Sequence, residues 1–221
     1  PRPPECWPPS MKRGYLPEFL PPLEVAFLAV SDRPTNCRPG KKGGETQQVA
    51  LFVLRFRGDF FSGNLRARPL GKALLPAELS SRLVAVGKAT NNVGVTEDAA
   101  AVTVTTDELW CFSAVEACGP VSWFADEYGP TMSSYDALVD AEGSQYAYFA
   151  SRGVTGSTGL SGALALTYRG QAWPWWYRTP YPYVFMGYGD SGSFFQVTAT
   201  GFPSSVGLAS SASGVVLGFC L

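Results

Sequence analysis

The chain reads as an all-β protein: an eight-stranded antiparallel β-sandwich of jelly-roll type, with short helices in its loops. Three observations predict this. Short apolar runs rich in Val, Phe, Tyr and Trp recur along the chain, bounded by clusters of Gly, Pro, Ser and Asn. Glycine (24) and proline (18) are both abundant, so long helices are few. No repeat or linker divides the 221 residues, a length that suits one large core better than several small ones. About eight principal strands with loops of unequal length fit two packed sheets rather than an α/β layer.

Each element has a local reason. Eight of the first 22 residues are proline, so residues 1–22 are expected to form an extended arm, and residues 23–221 the single domain. LEVAFLAV at 23–30 is a strand candidate, apolar enough for burial on both faces. A polar, basic loop follows at 31–44. In residues 46–57, Val49, Phe52, Val53 and Phe56 fall at i, i+3, i+4 and i+7, one face of an amphipathic helix that Gly58 ends. Beyond Phe60 and Phe61, Leu65 and Ala67 alternate with Arg66 and Arg68, which is strand spacing. Residues 74–83 suit a short helix with Pro76 in its first turn. A strand is expected to start within 83–86, and Asn91, Asn92 and Gly94 suit a hairpin turn. AVTVTT, then Leu109, Trp110 and Phe112, make 99–115 β-rich. Residues 121–124 read as a short strand and Ser133–Asp140 as a helical turn. Strands at 145–150, 163–168, 183–188, 194–200 and 214–219, with an aromatic stretch at 173–183, complete the set.

Charge is sparse and uneven. Charged residues are 16% of the chain, against about a quarter in typical domains. Residues 1–88 hold 14 Lys/Arg and 7 Asp/Glu, residues 89–221 hold 3 and 11, and 191–221 hold none. The uncharged tail is expected to contain buried strands and to pack against other subunits. No basic run is dense enough to predict nucleic-acid binding. Arg55, Arg57, Arg66 and Arg68 fit subunit contacts better than phosphate contacts. The five cysteines, Cys6, Cys37, Cys111, Cys118 and Cys220, contain no CxxC pair. A Cys111–Cys118 disulfide is not signalled, and reduced, buried thiols suit a chain made in the cytosol. No signal peptide, membrane-spanning run or Asn-x-Ser/Thr sequon is read.

Three motifs suggest chemistry, and each is better explained without it. Gly189-Asp190-Ser191-Gly192 resembles the nucleophile segment of chymotrypsin-like proteases. That reaction needs a base, normally histidine, and the chain has no histidine. Asp136, Asp140 and Glu142 are oxygen ligands of the right type for a hard cation, but lack the regular spacing and glycine of an EF-hand loop; an exposed acidic surface is expected. Trp173, Trp175, Trp176 and Tyr177 suit a core or a protein interface, with sugar stacking in a lectin-like sandwich as the alternative. No catalytic, cofactor-binding or metal-ligating residue is assigned, no cofactor is expected, and the chain is expected not to be an enzyme.

In order along the chain, several segments resemble those of picornavirus capsid proteins. LEVAFLAVSDRP is similar to the first core strand and its exit. QQVALFVLRFRGDFFSGNLRARPLG resembles a helix leading into the next strand. VSWFADEYGPTM resembles a hydrophobic strand followed by a Pro/Gly turn. ALALTYRG, YVFMGYG and SSASGVVLGF resemble later strands in the same order. The order is most similar to the large subunit around the fivefold axes, and the Pro/Gly/Ala-rich composition resembles the kobuvirus-like branch. Thr167 stands where the family often has proline, and Tyr188-Gly189 lacks its usual Asn. The resemblance implies a structural subunit of an icosahedral, non-enveloped virion. Its implied partners are sister capsid proteins, copies of itself around a fivefold axis, a host receptor and the enclosed RNA genome, with the host cytoplasm as the site of assembly.

Ser191→Ala leaves any hydrolytic background of the purified chain unchanged. An ester-hydrolysis assay checks this, and loss of a robust activity on that substitution would restore the serine-hydrolase reading.

Overall fold

A computed structural model describes residues 27–32, 47–52, 54–55, 72, 75–92, 98–157, 159–168, 170–182, 192–211 and 213–221. In chain order these form β1 (Phe27–Asp32), β2 (Gln47–Phe52), β3 (Leu54–Arg55), α1 (Ala77–Ser80), β4 (Val86–Asn91), β5 (Val102–Asp107), β6 (Trp110–Cys111), α2 (Ala114–Cys118), α3 (Trp123–Tyr128), a 3-10 turn (Pro130–Met132), α4 (Ser133–Asp140), α5 (Ala147–Ser151), β7 (Leu166–Tyr168), β8 (Gln171–Trp173), β9 (Trp175–Pro180), β10 (Ser193–Val197), β11 (Ser205–Leu208), β12 (Gly214–Val215) and β13 (Leu217–Gly218). The expected arm at 1–22, the strand led by Phe60 and Phe61, the strand at 183–188 and the Gly189–Ser191 segment lie outside the described residues.

The described residues are strand-rich, with only short helices. Their largest sheet runs β11-β10-β9-β12-β3, and the pairs β1–β2, β4–β5, β6–β13 and β7–β8 stand as two-stranded ladders. The strands are shorter and more numerous than eight, and the pairing is not wholly antiparallel, since β12 lies parallel to β9. The central strand β9 is buried from Trp175 through Thr179. A strand covered on both faces needs no alternation of apolar and polar residues, which is why WWYRT reads as an aromatic run.

Four expected elements differ. Residues 46–57 were expected to be helical, yet β2 and β3 occupy them. β2 pairs with β1 over six residues, from Phe27↔Phe52 to Asp32↔Gln47. A twelve-residue helix is marginal alone in water, whereas the same run as a strand gains a ladder. The strand expected at 121–124 is replaced from Trp123 onward by α3. The strand expected at 145–150 is replaced from Ala147 onward by α5, because Tyr146 and Phe149, three residues apart, both meet the Phe112 ring edge-on, at 5.4 and 5.5 Å between centroids. The β-rich stretch at 99–115 stops early, and Ala114 and Val115 open α2. Its signal was present in the sequence as a capping box: Ser113 Oγ accepts from Glu116 N at 3.3 Å, and Glu116 Oε2 accepts from Ser113 N at 3.0 Å.

Other readings hold. Helix α4 has the expected bounds. β4 and β5 form a hairpin, α1 follows Pro76, and Cys111, Cys118 and Cys220 are buried thiols outside any disulfide. The uncharged tail supplies Val215, Val216, Leu217 and Phe219 to the core. No helix among the described residues is long and apolar enough to cross a membrane.

Close approach at glycine sets two packing limits. Gly218 lies beside the Trp110 ring, and a Cβ there would fall 2.7 Å from Nε1. Gly201 has φ +88°, and a Cβ would fall 2.2 Å from the Ser161 carbonyl oxygen. Gly153 shares the conformation at φ +72° with open space around it. Gly201→Ala is therefore expected to lose about 3 kcal/mol and Gly153→Ala about 1 kcal/mol. Urea denaturation of the two variants measures the difference, which isolates the backbone clash.

Candidate functional site

The chemistry-bearing side chains of the described residues converge on a buried cluster beside β9. β4 supplies Lys88 and Asn91, α2 supplies Glu116, the turn after α4 supplies Glu142, and β9 supplies Arg178 and Thr179. Tyr146, which precedes α5, closes it. All seven are buried.

Arg178 is the hub. Its five N–H groups make five hydrogen bonds: Nε and Nη2 to Ala89 O at 3.1 and 3.0 Å, Nη2 to Glu142 O at 3.1 Å, and Nη1 to Cys111 O at 2.8 Å and to the Glu116 carboxylate. Every donor of the guanidinium is thus used. Lys88 Nζ donates to Glu116 Oε1 at 2.9 Å and to the Tyr146 hydroxyl. It also lies 4.1 Å from the Trp110 ring centroid and 5.0 Å from that of Tyr146, so aromatic faces replace part of its lost hydration. Glu142 Oε1 accepts from Asn91 N and Nδ2, both at 3.0 Å, and Oε2 accepts the Thr179 hydroxyl. Thr179 Oγ1 in turn accepts from Ala114 N at 2.8 Å.

The two carboxyls are pushed apart by their surroundings. Burial raises both. At Glu116 the charges of Arg178 and Lys88, and their hydrogen bonds, outweigh burial and hold the carboxyl below its usual range. At Glu142 burial prevails over Arg178, Thr179 and Asn91, and the carboxyl is pushed up to about 7. Burial drives Tyr146 and Tyr177 well above the ordinary phenol range. It pushes the thiols of Cys111 and Cys118 up to about 12, so neither is a thiolate nucleophile near neutrality.

This arrangement can hold backbone together; it opens no reacting atom to a substrate. Two further sequence candidates, the acidic trio and the tryptophan run, fall among the described residues. The acidic trio was expected to be an exposed surface, and this is corrected. Asp136 is buried and accepts from Phe124 N and Ala125 N at 2.9 and 3.0 Å. Asp140 accepts from Val121 N at 3.0 Å. Both carboxylates cap the chain entering α3, whose own Ser122 makes no cap bond. Glu142 lies apart from them, in the cluster. No group of three or more Cys, Asp or Glu among the described residues is placed to hold a metal ion. Trp175 and Trp176 are enclosed at 1% and 2% exposure, with Trp175 Nε1 donating to Leu164 O at 2.9 Å, so neither ring offers a face to a sugar. A cavity of about 130 Å³ lies among Phe149, Leu164, Leu166 and Trp175, room for about one benzene-sized molecule and too little for a long acyl chain.

The sequence reasoning missed Lys88, Glu116 and Arg178 altogether. The Ser113-x-x-Glu116 spacing was a legible signal for Glu116. A lone arginine inside an aromatic strand, WWYRTP, was a legible signal for Arg178, because a charge in such a run must find a buried partner. Comparison with known protein families, with characterised proteins and with solved structures yields no match.

Removing one side of a buried ion pair strands the other. Arg178→Met and Glu116→Leu are each expected to lose about 3–5 kcal/mol, whereas the double variant Glu116→Leu/Arg178→Met recovers part of that loss. Chemical denaturation of the four species closes the cycle. Additive single losses would show that the pair is not coupled.

Proposed function

We propose that this chain is a structural, non-enzymatic subunit of an icosahedral, non-enveloped RNA virus capsid. The observation that carries the reading is the order of capsid-like segments along one strand-rich chain, from LEVAFLAVSDRP to SSASGVVLGF. In this reading the five-stranded sheet is one layer of a jelly-roll sandwich. The subunit packs with sister capsid proteins and with copies of itself around a fivefold axis, and encloses the genome. Its loops meet the host receptor.

Two features of the described residues support a role in assembly. The polar cluster is sealed, so the richest chemistry of the fold is spent on rigidity. Strand β11 stands at the end of the five-stranded sheet with Val206 and Leu208 40% and 47% exposed, within a stretch that has no charge. Apolar side chains on an end strand, without charged guards, suit a surface covered by a neighbour. Against the segment order stand two conformations: QQVALF is strand where the resemblance implies helix, and WFADEY is helix where it implies strand.

The expected behaviour is association. Expressed alone, the chain is expected to aggregate or form oligomers at high concentration, and together with sister subunits to enter icosahedral particles. Analytical ultracentrifugation and electron microscopy read the two outcomes. A soluble, strictly monomeric chain at high concentration would count heavily against the capsid reading.

A further inference from the structure

Glu142 is built differently from the other ions of its cluster. It is 1% exposed, and its carboxylate receives only uncharged donors: Asn91 N, Asn91 Nδ2 and the Thr179 hydroxyl. The cations are committed elsewhere. Lys88 is on Glu116 and Tyr146, and Arg178 reaches the main-chain oxygen of Glu142 rather than its carboxylate. A buried carboxylate without a directly bound cation is the member of such a cluster that most readily accepts a proton.

Its position gives that proton a structural consequence. Asn91 N, which it binds, is on the last residue of β4, and Thr179 is on β9. Glu142 therefore ties the end of the β4–β5 hairpin to the central strand and, through Thr179 Oγ1, to the first turn of α2. We infer that Glu142 is a proton-operated latch on the hairpin, which takes one proton from solvent as the medium falls below neutrality, so that the joint no longer buries a charge and the fold is more stable. Protonation removes the carboxylate charge, and Oε1 keeps both Asn91 hydrogen bonds. The titratable and charged groups of the cluster around it are Lys88 on β4, Glu116 on α2, Tyr146 before α5 and Arg178 on β9. Burial opposes the ionised form and Glu116 adds to that opposition; together they outweigh Arg178 and the hydrogen bonds from Thr179 and Asn91, which favour it.

The direction follows. In the folded chain Glu142 keeps its proton up to about pH 7, against an ordinary value of 4.5. Between these limits the folded state binds more protons than the unfolded state, so stability falls as pH rises through the window and is level above it. Glu116, with its lowered value, acts in the opposite sense and only below the ordinary glutamate range. Asp140 is raised as well, and comparison with a Glu142 variant removes its contribution. The inference rests on the cluster alone, so it stands or falls separately from the capsid reading.

The test is thermal unfolding of the full chain from pH 5.5 to 8.5, with Glu142→Gln as a mimic of the protonated side chain. The wild-type Tm is expected to fall by roughly 5 °C across this range, and that of Glu142→Gln to stay nearly level. Parallel profiles for the two proteins would overturn the latch. Carboxyl-carbon NMR of the wild type with labelled glutamate gives a reading even where the variant fails to fold. A glutamate resonance with a midpoint near 7 is expected, and ordinary midpoints for every glutamate would overturn the inference.

Discussion

The described structure depends on where one guanidinium finds its partners. Arg178 sits on the central strand β9, and its five bonds end on β4, β6, α2 and the turn after α4. Two short strands and a five-residue helix have little stability of their own; they are placed by a side chain that satisfies backbone groups their ladders leave over. The point is clearest at β4. β5 covers one of its edges, and on the other Ala89 O is taken by Arg178 and Asn91 N by Glu142. Two side chains stand in for a missing strand. The cost of burying the ions makes this arrangement a source of specificity more than of net stability, because the same partners cannot be met in another register.

The helical part of the fold obeys the same logic of distant satisfaction. Helix α3 begins without a cap of its own, and Asp136, one turn before Asp140 on α4, supplies it from the far side of the turn. Behind these caps Phe124 meets Tyr135, Tyr181 and Phe195 at 5.4, 5.7 and 6.1 Å between centroids. The helices and the five-stranded sheet therefore share one aromatic core. Gly218 lets Trp110 lie flat against β13, and Trp110 in turn supports Lys88. A packing choice at the chain's uncharged end thus reaches the ionic cluster through a single ring.

The ions of the cluster and the thiols of Cys111, Cys118 and Cys220 are buried, and Asp136 and Asp140 are spent on capping, while Val104, Val206 and Leu208 stand exposed on strands. In the proposed capsid reading, these exposed strand residues are where a neighbouring subunit would pack.

The sequence by itself determined the composition of the fold. β-branched and aromatic runs between turn residues make it strand-rich, Pro76 starts α1, the spacing in Ser133–Asp140 makes a helix, and the burial of the uncharged, apolar tail follows from hydropathy. These are local properties, and local physics sets them. Only the tertiary structure decided between helix and strand in QQVALF and WFADEY. A short apolar run fits both periods, and the deciding hydrogen bonds come from β1 in one case and Asp136 in the other. The same holds for the cluster. Lys88, Glu116, Glu142 and Arg178 are spread over 91 positions of sequence, and no local pattern states that four charges so far apart must share one buried volume.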